Sequence, residues 1–206
     1  MNMKPIEEIW KSRGWLTIPE RAINHNLRFK SNPPLAYNSR WITGYWYFFR
    51  SKGDKYYGGY PNKYLDKVFS LFPDIQSERI LHLFSGGLRN DVKGSRFDIK
   101  QVNDNIVGDV MNIDSMFTEK SFDLVIADPP YESKDFDRYK CKQFNKRIVV
   151  NDKISKIVNS QGFLIWLDLL IPFHSSKIWS MVGLIGVAQG VGMRGRTMTI
   201  LRRVNL

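Results

Sequence analysis

Residues 121 to 134 read SFDLVIADPPYESK, an apolar run that ends in an acid, two prolines and a tyrosine. A continuous apolar run of this length is typical of a strand that is buried on both faces of a parallel sheet. Pro129 and Pro130 fix their own φ and carry no N–H, so the turn is stiff and offers carbonyls and the Asp128 carboxylate as acceptors. Tyr131 adds a flat aromatic face. This corner therefore predicts a site for a planar group that carries an –NH2.

The same pattern recurs on both sides of that stretch. Short apolar runs end in a glycine turn or an acid in RILHLF (79–84), SRFDI (95–99), NIVGD (105–109) and GFLIWLD (162–168). Because ligands of open α/β sheets bind beyond the carboxyl ends of the strands, these endings are expected to share one edge. The tail segments SMVGLIGVAQG and RTMTILRRV predict an antiparallel hairpin. The predicted fold class is α/β, with a Rossmann-like, mostly parallel sheet and a C-terminal antiparallel hairpin.

A glycine turn at the end of the first of these runs, and the acids at or near the ends of the next two, form a candidate nucleoside site. Phe84, Ser85 and Gly86 open a glycine turn, and glycine lets a ligand approach the backbone closely. Asp98 is suited to accept hydrogen bonds from ribose hydroxyls, and Asp109 from the amino group of an adenine ring. The absence of a full G-x-G-x-x-G fingerprint disfavours a nicotinamide or flavin cofactor. Each feature taken alone could equally be an ordinary turn or cap.

Composition points to a polyanionic partner. The 206 residues carry 31 Lys and Arg against 20 Asp and Glu, and the net charge of +11 favours nucleic acid, the alternative being a solvated basic surface. The single cysteine, Cys141, excludes an internal disulfide and predicts a cytoplasmic protein. No apolar run approaches about 18 residues, so no membrane partner is expected. The three histidines show no metal-binding spacing, so no metal is expected.

Residues 1–55 differ in composition from the rest of the chain. They hold four of the six tryptophans and ten Lys or Arg against four acids. The sequence therefore predicts a basic, aromatic-rich N-terminal extension over 1–55 and an α/β domain over 56–206. The tryptophans of the extension are expected in the core more than as plates for base stacking.

The ADPPY element (127–131) resembles the catalytic motif of class I S-adenosylmethionine-dependent amino-methyltransferases, most specifically those that methylate the exocyclic amine of adenine in DNA. ILHLFSGG (80–87) resembles their glycine motif, and RFDIK and VGDV resemble their ribose-binding and adenine-binding segments. YYGGYPNKYLDKVFSLFP (56–73) is similar to the segment that contacts the methionine part of the cofactor, which implicates Tyr57 and Gly58. The resemblance covers roughly residues 56–170.

This resemblance implies a class I methyltransferase fold with S-adenosylmethionine as cofactor. It implies direct transfer of a methyl group to an amine whose hydrogens are accepted by Asp128 and the Pro129 carbonyl, without a covalent enzyme intermediate. In duplex DNA the target base is expected to be flipped onto Tyr131. Cys141 lacks a Pro-Cys context, which disfavours methylation at a cytosine ring carbon. The implied catalytic set is Asp128, Pro129, Pro130 and Tyr131.

Two departures from the family pattern bear on these expectations. Only ten residues separate Gly87 from Asp98, where the common fold has a helix and its return loop. That helix is therefore expected to be absent or a single turn. No long target-recognition insertion is present, so base specificity is expected from residues 1–55, from the loop 132–147 or from the C-terminal hairpin.

Basic residues near the motif are the candidate nucleic-acid contacts: Lys134, Arg138, Lys140, Lys142, Arg194 and Arg196. The segment 134–147 interleaves basic and aromatic residues, as suits backbone contact and stacking, although a lid over a small substrate fits as well. Arg194 and Arg196 are expected in a glycine-flanked turn, where a solvated hairpin tip is the alternative. DNA is the expected polymer. RNA base-amine methylation and a non-catalytic nucleic-acid-binding protein on the same fold stay open, as do the recognition sequence and the oligomeric state.

Overall fold

The computed structural model describes residues 6–30, 33–48, 60–139, 147–190 and 194–204. The predicted site residues Tyr57, Gly58, Lys140 and Lys142 lie outside these ranges, as does Cys141. The helices are α1 (Ile6–Ser12), α2 (Ile18–Phe29), α3 (Tyr64–Leu71), α4 (Ile113–Met116), α5 (Ser133–Tyr139) and α6 (Arg147–Ile157). The strands are β1 (Ala36–Tyr37), β2 (Ile42–Phe48), β3 (Ile80–Leu83), β4 (Ser95–Asp98), β5 (Ile106–Val107), β6 (Phe122–Ala127), β7 (Val158–Asp168), β8 (Trp179–Gln189) and β9 (Arg196–Arg203).

The strands form one sheet in the order β1-β2-β8-β9-β7-β6-β3-β4-β5. The pairs β2–β8, β7–β6, β6–β3, β3–β4 and β4–β5 are parallel. The strand β9 is antiparallel to both of its neighbours, β7 and β8, and β1 is antiparallel to β2. The predicted fold class is confirmed: an α/β protein with a mostly parallel sheet and a C-terminal antiparallel hairpin.

The order of the strands creates a crevice between β3 and β6. From β3 the chain passes outward through β4 to β5, and then crosses back to β6 on the other side of β3. In open α/β sheets such a reversal leaves a ligand crevice at the carboxyl ends of the two central strands. Leu83 pairs with Ala127 in register, so the glycine turn after β3 and Asp128 after β6 begin side by side.

Both faces of the sheet are covered, which explains the continuous apolar runs. All six residues of β6 are buried. Ile80, Leu124 and Ile126 point to a core shared with α1, α2 and α3, whereas Leu81 and Val125 point to a core shared with α4, α5 and α6. Alternation across the sheet therefore buries successive residues of one strand on opposite faces.

The connection between β3 and β4 is short. Within the described residues 84–94 no helix is present, and the chain makes only turns and bends there. The expected loss of this helix is confirmed. The strand predicted over 105–109 is shorter than expected, since β5 holds two residues and the chain then turns into a 3₁₀ helix at Val110–Asn112.

The N-terminal segment shares its core with the sheet. Trp10, Trp15 and Trp46 are buried, as expected for core residues, and β2 extends the sheet beside β8. The α2 helix begins after Thr17, whose N–H donates to Glu20 Oε2 at 2.7 Å, and it is fastened to the end of α3 through Arg21. The division of the chain at residue 55 stays a prediction, because residues 49–59 lie outside the described ranges.

Candidate active site

Asp128 lies at the crevice between β3 and β6, as the first residue after β6. Its side chain is 6% exposed. The Tyr131 phenol donates a hydrogen bond to Asp128 Oδ1. Arg196 Nη1 donates to Tyr131 Oη at 3.0 Å and lies 3.6 Å from Asp128 Oδ2. The acid, the phenol and the guanidinium thus form one connected cluster at the carboxyl edge of the sheet.

The environment of Asp128 changes its acidity. The pKa of its carboxyl is raised to about 7, chiefly by burial and also by the charge of Asp168, against the opposing effects of Arg196 and the Tyr131 hydrogen bond. Burial likewise raises the pKa of the Tyr131 phenol, so Tyr131 stays a hydrogen-bond donor at neutral pH. Asp128 therefore changes its charge near neutral pH, where a strand-end aspartate in water would be fully ionised.

Asp128 is expected to make the unfolding free energy depend on pH with a defined sign. Between about pH 4 and about pH 7 the unfolded chain has released the Asp128 proton while the folded chain retains it, so stability falls as pH rises. The unfolding free energy of the wild type minus that of Asp128→Asn should fall by at most about 1.4 kcal/mol per pH unit as pH rises across this window. It should stay level above about pH 8. Urea unfolding of both proteins over this range measures it.

Asp114 provides the matched control for that measurement. Hydrogen bonds from Lys156 and Lys153 lower the pKa of the Asp114 carboxyl to about 2. Its stabilising effect is complete above the unfolded-state pKa and is lost only as pH falls through the folded-state value. The difference between the wild type and Asp114→Asn should therefore be level from about pH 5 to about pH 8. A level difference for Asp128→Asn as well would contradict the assigned burial of Asp128.

The turn that carries Tyr131 is held by two further side chains. Asp135 Oδ2 accepts hydrogen bonds from the backbone N–H groups of Tyr131 and Glu132, both at 3.2 Å. Arg147 Nη2 donates to the Tyr131 carbonyl at 3.2 Å, and the same guanidinium pairs with Asp168 at the end of β7. The stiffness that the two prolines predict is thus extended through Tyr131 by polar contacts from α5 and α6.

The glycine turn and Asp98 meet at the same edge. Gly86 N–H donates to Asp98 Oδ2 at 2.9 Å, and Lys100 N–H donates to Oδ1 at 3.1 Å. Phe84 has φ +57° and Gly86 has φ +49°, so the chain turns sharply away from β3 through left-handed conformations. The Ser85 Oγ is buried without a hydrogen-bond partner among the described residues. The glycine turn and Asp98, which the sequence places one after the other, are therefore in direct contact in the structure.

Asp109 follows β5 and caps the next turn. Its Oδ1 accepts a hydrogen bond from Met111 N–H at 2.9 Å, at the start of the 3₁₀ helix. Gly108 N–H donates to the Asp98 carbonyl at 3.0 Å, which keeps the two acid-bearing turns adjacent. The structure thus assigns Asp109 the role of a cap, and its predicted role toward an adenine amine stays a prediction.

Aromatic residues line the other side of the crevice. The Tyr60 phenol donates to the Ile126 carbonyl at 3.4 Å, and the Tyr60 ring stacks on Tyr64 with centroids 5.3 Å apart. Tyr64 is fully buried, and its hydroxyl has no hydrogen-bond partner among the described residues. Sequence periodicity assigned Tyr64 to a helix face. The charges of Asp128 and Arg196 both act on the Tyr64 phenol, which places Tyr64 at this site.

The candidate nucleic-acid contacts are dispersed. Lys134 Nζ lies 2.8 Å from Glu132 Oε2, and Arg194 Nη1 donates to Glu132 Oε1 at 2.6 Å, so both border the Tyr131 turn at the surface. Arg138 belongs to α5, but its side chain lies outside the described residues. Arg196 is the first residue of β9, as the predicted strand RTMTILRRV implies, and its side chain points to Asp128 and not to the surface. Its predicted contact with nucleic acid stays a prediction.

Among the described residues, no helix is long and apolar enough to cross a membrane. In the same part of the chain, no group of three or more His, Cys, Asp or Glu could hold a metal ion.

No protein-family model matches this sequence, and no curated protein matches it. Among solved structures, the chain is similar to TrmN from Thermus thermophilus, with 13% identity over 68% of this chain and 48% of that chain, at a TM-score of 0.46. It is similar to a mutant of MtNAS, with 16% identity over 70% of this chain and 60% of that chain, at a TM-score of 0.43. It is similar to an rRNA methylase from Streptococcus thermophilus, with 12% identity over 64% of this chain and 91% of that chain, at a TM-score of 0.39.

The chain thus spans 48% and 60% of the first two of these proteins. Similarity at this level carries no conclusion about a shared activity or substrate.

Proposed function

We propose that this chain binds S-adenosylmethionine at the carboxyl ends of β3 and β4 and transfers its methyl group to the exocyclic amine of a nucleobase. The observation that supports this most directly is the buried Asp128 in the crevice between β3 and β6, joined to Tyr131 and adjacent to the Gly86–Asp98 contact. A turn that only ended a strand would need neither the acid nor the tyrosine in this position.

The residues at this edge fit the cofactor. Asp98 can accept from ribose hydroxyls, since each carboxylate oxygen has a lone pair beyond the one that its backbone donor uses. Ser85 Oγ and Tyr64 Oη are buried polar atoms without a described partner, and buried polar atoms are rarely left so in a complete site. Asp98, whose donors among the described residues are backbone N–H groups, brings negative charge to the edge, which suits a sulfonium cation, whereas Asp128 and Asp168 lie beside Arg196 and Arg147. Phe84, Ser85, Gly86, Asp98 and Asp109 would hold the group.

The bound group would supply an electrophilic methyl carbon and would leave as a neutral thioether, and the proton that the methylated nitrogen loses would pass to the Asp128 carboxylate or to solvent. An aromatic amine is a poor nucleophile because its lone pair is delocalised into the ring. Asp128 and the Pro129 carbonyl can accept the two amine hydrogens, which favours a pyramidal nitrogen with its lone pair available. An ionised carboxylate has about four acceptor positions, so Asp128 can bind an amine hydrogen while it still accepts from Tyr131. Rigid positioning and electrostatics then account for the catalysis.

Replacement of Asp98 by alanine is expected to raise the Kd for S-adenosylmethionine about 10- to 100-fold, because hydrogen bonds to a charged acceptor are lost. Isothermal titration calorimetry measures this directly. Asp91→Ala is the matched control, since Asp91 lies in the loop before β4 but pairs with Arg89 at the surface. An unchanged Kd for Asp98→Ala would contradict the proposed contact between Asp98 and the cofactor. Absence of measurable binding to the wild type would contradict the enzyme proposal as a whole and favour a non-catalytic nucleic-acid-binding protein.

Nucleic acid is proposed as the carrier of the amine because of the net charge of +11 and the exposed basic residues beside the Tyr131 turn. The ADPPY resemblance favours adenine N6 in DNA as the first substrate. The test incubates the protein and labelled cofactor with DNA and, separately, with RNA, then digests each polymer to nucleosides and identifies the labelled one. N6-methylated deoxyadenosine is expected. Label in RNA alone would indicate that RNA is the substrate of the same reaction. Label in neither polymer would contradict nucleic acid as the substrate class.

A further inference from the structure

We propose that Arg196 is a positioning residue for the methyl transfer, holding the Tyr131 phenol and the Asp128 carboxylate in the arrangement that receives the amine, and that it does not contact the polymer's phosphates. This inference rests on the proposed function. It replaces the phosphate-binding role that the sequence suggested for Arg196 and leaves that role to Arg194.

The direction of β9 explains how Arg196 reaches the site. The strand lies antiparallel between β7 and β8, so its first residue is at the edge where the parallel strands end. Thr197 pairs with Asp168, the last residue of β7, and Arg196 pairs with Val187 of β8. The side chain of Arg196 therefore begins one residue beyond the end of β7, on the edge that carries Asp128.

Arg196 and Arg194 are two residues apart but differ in environment. The Arg196 side chain is 11% exposed, donates to Tyr131 Oη at 3.0 Å and lies 3.6 Å from Asp128 Oδ2. The Arg194 side chain is 52% exposed and pairs with Glu132 at the surface. A guanidinium that is enclosed by a phenol and a carboxylate has little surface left for a phosphate, whereas Arg194 is accessible to a polymer.

Among the described residues, Arg196 is the positive charge that lowers the pKa of Asp128. Asp168 at the end of β7 opposes the ionisation of Asp128, and its own partner is Arg147 of α6. Tyr131, Tyr60 and Tyr64 also face the carboxyl and stay neutral, because burial raises the pKa of each phenol. Without Arg196 the carboxyl would keep its proton to higher pH and would donate a hydrogen bond where an acceptor is needed.

The closing experiment compares Arg196→Gln, Arg196→Lys and Arg194→Gln by steady-state kinetics on the polymer that the wild type methylates, from about pH 6 to about pH 9 and at several salt concentrations. For Arg196→Gln, kcat at neutral pH is expected to fall about 10- to 100-fold with little change in KM. The midpoint of the rise in kcat with pH is expected to move up by about one pH unit.

The other two variants separate charge from geometry. Arg196→Lys keeps the charge but loses the directed guanidinium, so it should restore the wild-type midpoint while kcat stays several-fold low. Arg194→Gln should raise KM and weaken its salt dependence while the pH midpoint stays that of the wild type. If Arg196→Gln instead raises KM, weakens the salt dependence and leaves the pH profile unchanged, Arg196 is a phosphate contact and the inference is overturned. A wild-type kcat in Arg196→Lys would overturn the positioning of Tyr131.

A second measurement does not depend on activity. The pH dependence of the unfolding free energy, taken as the difference between Arg196→Gln and Arg196→Gln/Asp128→Asn, reports the ionisation of Asp128 in the absence of the arginine. The pH at which this difference stops changing should be higher than in the wild-type background. An unchanged pH would overturn the electrostatic part of the inference. If the wild type transfers no methyl group but this pH moves, the proposed function fails while the contact between Arg196 and Asp128 stands.

Discussion

Replacement of Asp128 by alanine is expected to lower kcat for methyl transfer about 10²- to 10³-fold, with S-adenosylmethionine binding retained. The expected size is that of removing one preorganised hydrogen-bonding group from a buried reaction centre. Asp128 is placed to provide that group, because it follows β6 at the crevice and its carboxylate is shielded from water. Single-turnover transfer of a labelled methyl group to the nucleobase measures the loss.

Two companion variants define what Asp128 does. Asp128→Asn keeps an acceptor oxygen, so its kcat should exceed that of Asp128→Ala and should not rise with pH near neutrality. The wild-type kcat should rise as pH passes about 7, since only the ionised carboxylate accepts without also donating. Tyr131→Ala should also reduce transfer strongly. Transfer that survives Asp128→Ala unchanged would refute the role assigned to the ADPPY turn.

Replacement of Arg21 by methionine is expected to lower the unfolding free energy by about 3–5 kcal/mol, because it leaves the Asp74 carboxylate buried without its cationic partner. The side chains of Arg21 and Asp74 are 1% and 8% exposed, and two hydrogen bonds of 2.7 and 2.8 Å join them. Arg21 also donates to the Leu71 carbonyl at 2.9 Å. The cost corresponds to a fall in Tm of roughly 6–20 °C for a chain of this size.

Chemical and thermal unfolding measure that cost, with Arg89→Met as the matched control. Arg89 and Asp91 form an ion pair whose side chains are 81% and 63% exposed, so its loss should change stability by less than about 1 kcal/mol. Arg21→Met should unfold in a single transition, because α2, α3 and the sheet share one core. A separate early transition, or a stability equal to that of the control, would contradict this shared core.

The central strands could be predicted from sequence because burial on both faces leaves a strong signal. The runs that became β3, β6 and β7 are apolar without alternation, and each ends in a residue that suits the sheet edge. The helix α3 is likewise present where the spacing of apolar residues indicated it. The pairing of β2 with β8 could not be predicted, because strand propensity over 40–49 says nothing of a partner some 140 residues away.

The sequence by itself determined the fold class, the edge at which chemistry is expected and the order of its parts: glycine turn, Asp98 and Asp128. These follow from local rules of burial and strand direction. Only the tertiary structure decided the environment of each group. It buried Asp128, brought Tyr64 to the crevice and directed Arg196 inward, because an antiparallel strand returns its first residue to the edge where the parallel strands end. The pKa and the hydrogen-bond partners of each side chain depend on neighbours that are distant in sequence, and tertiary packing determines which residues those neighbours are.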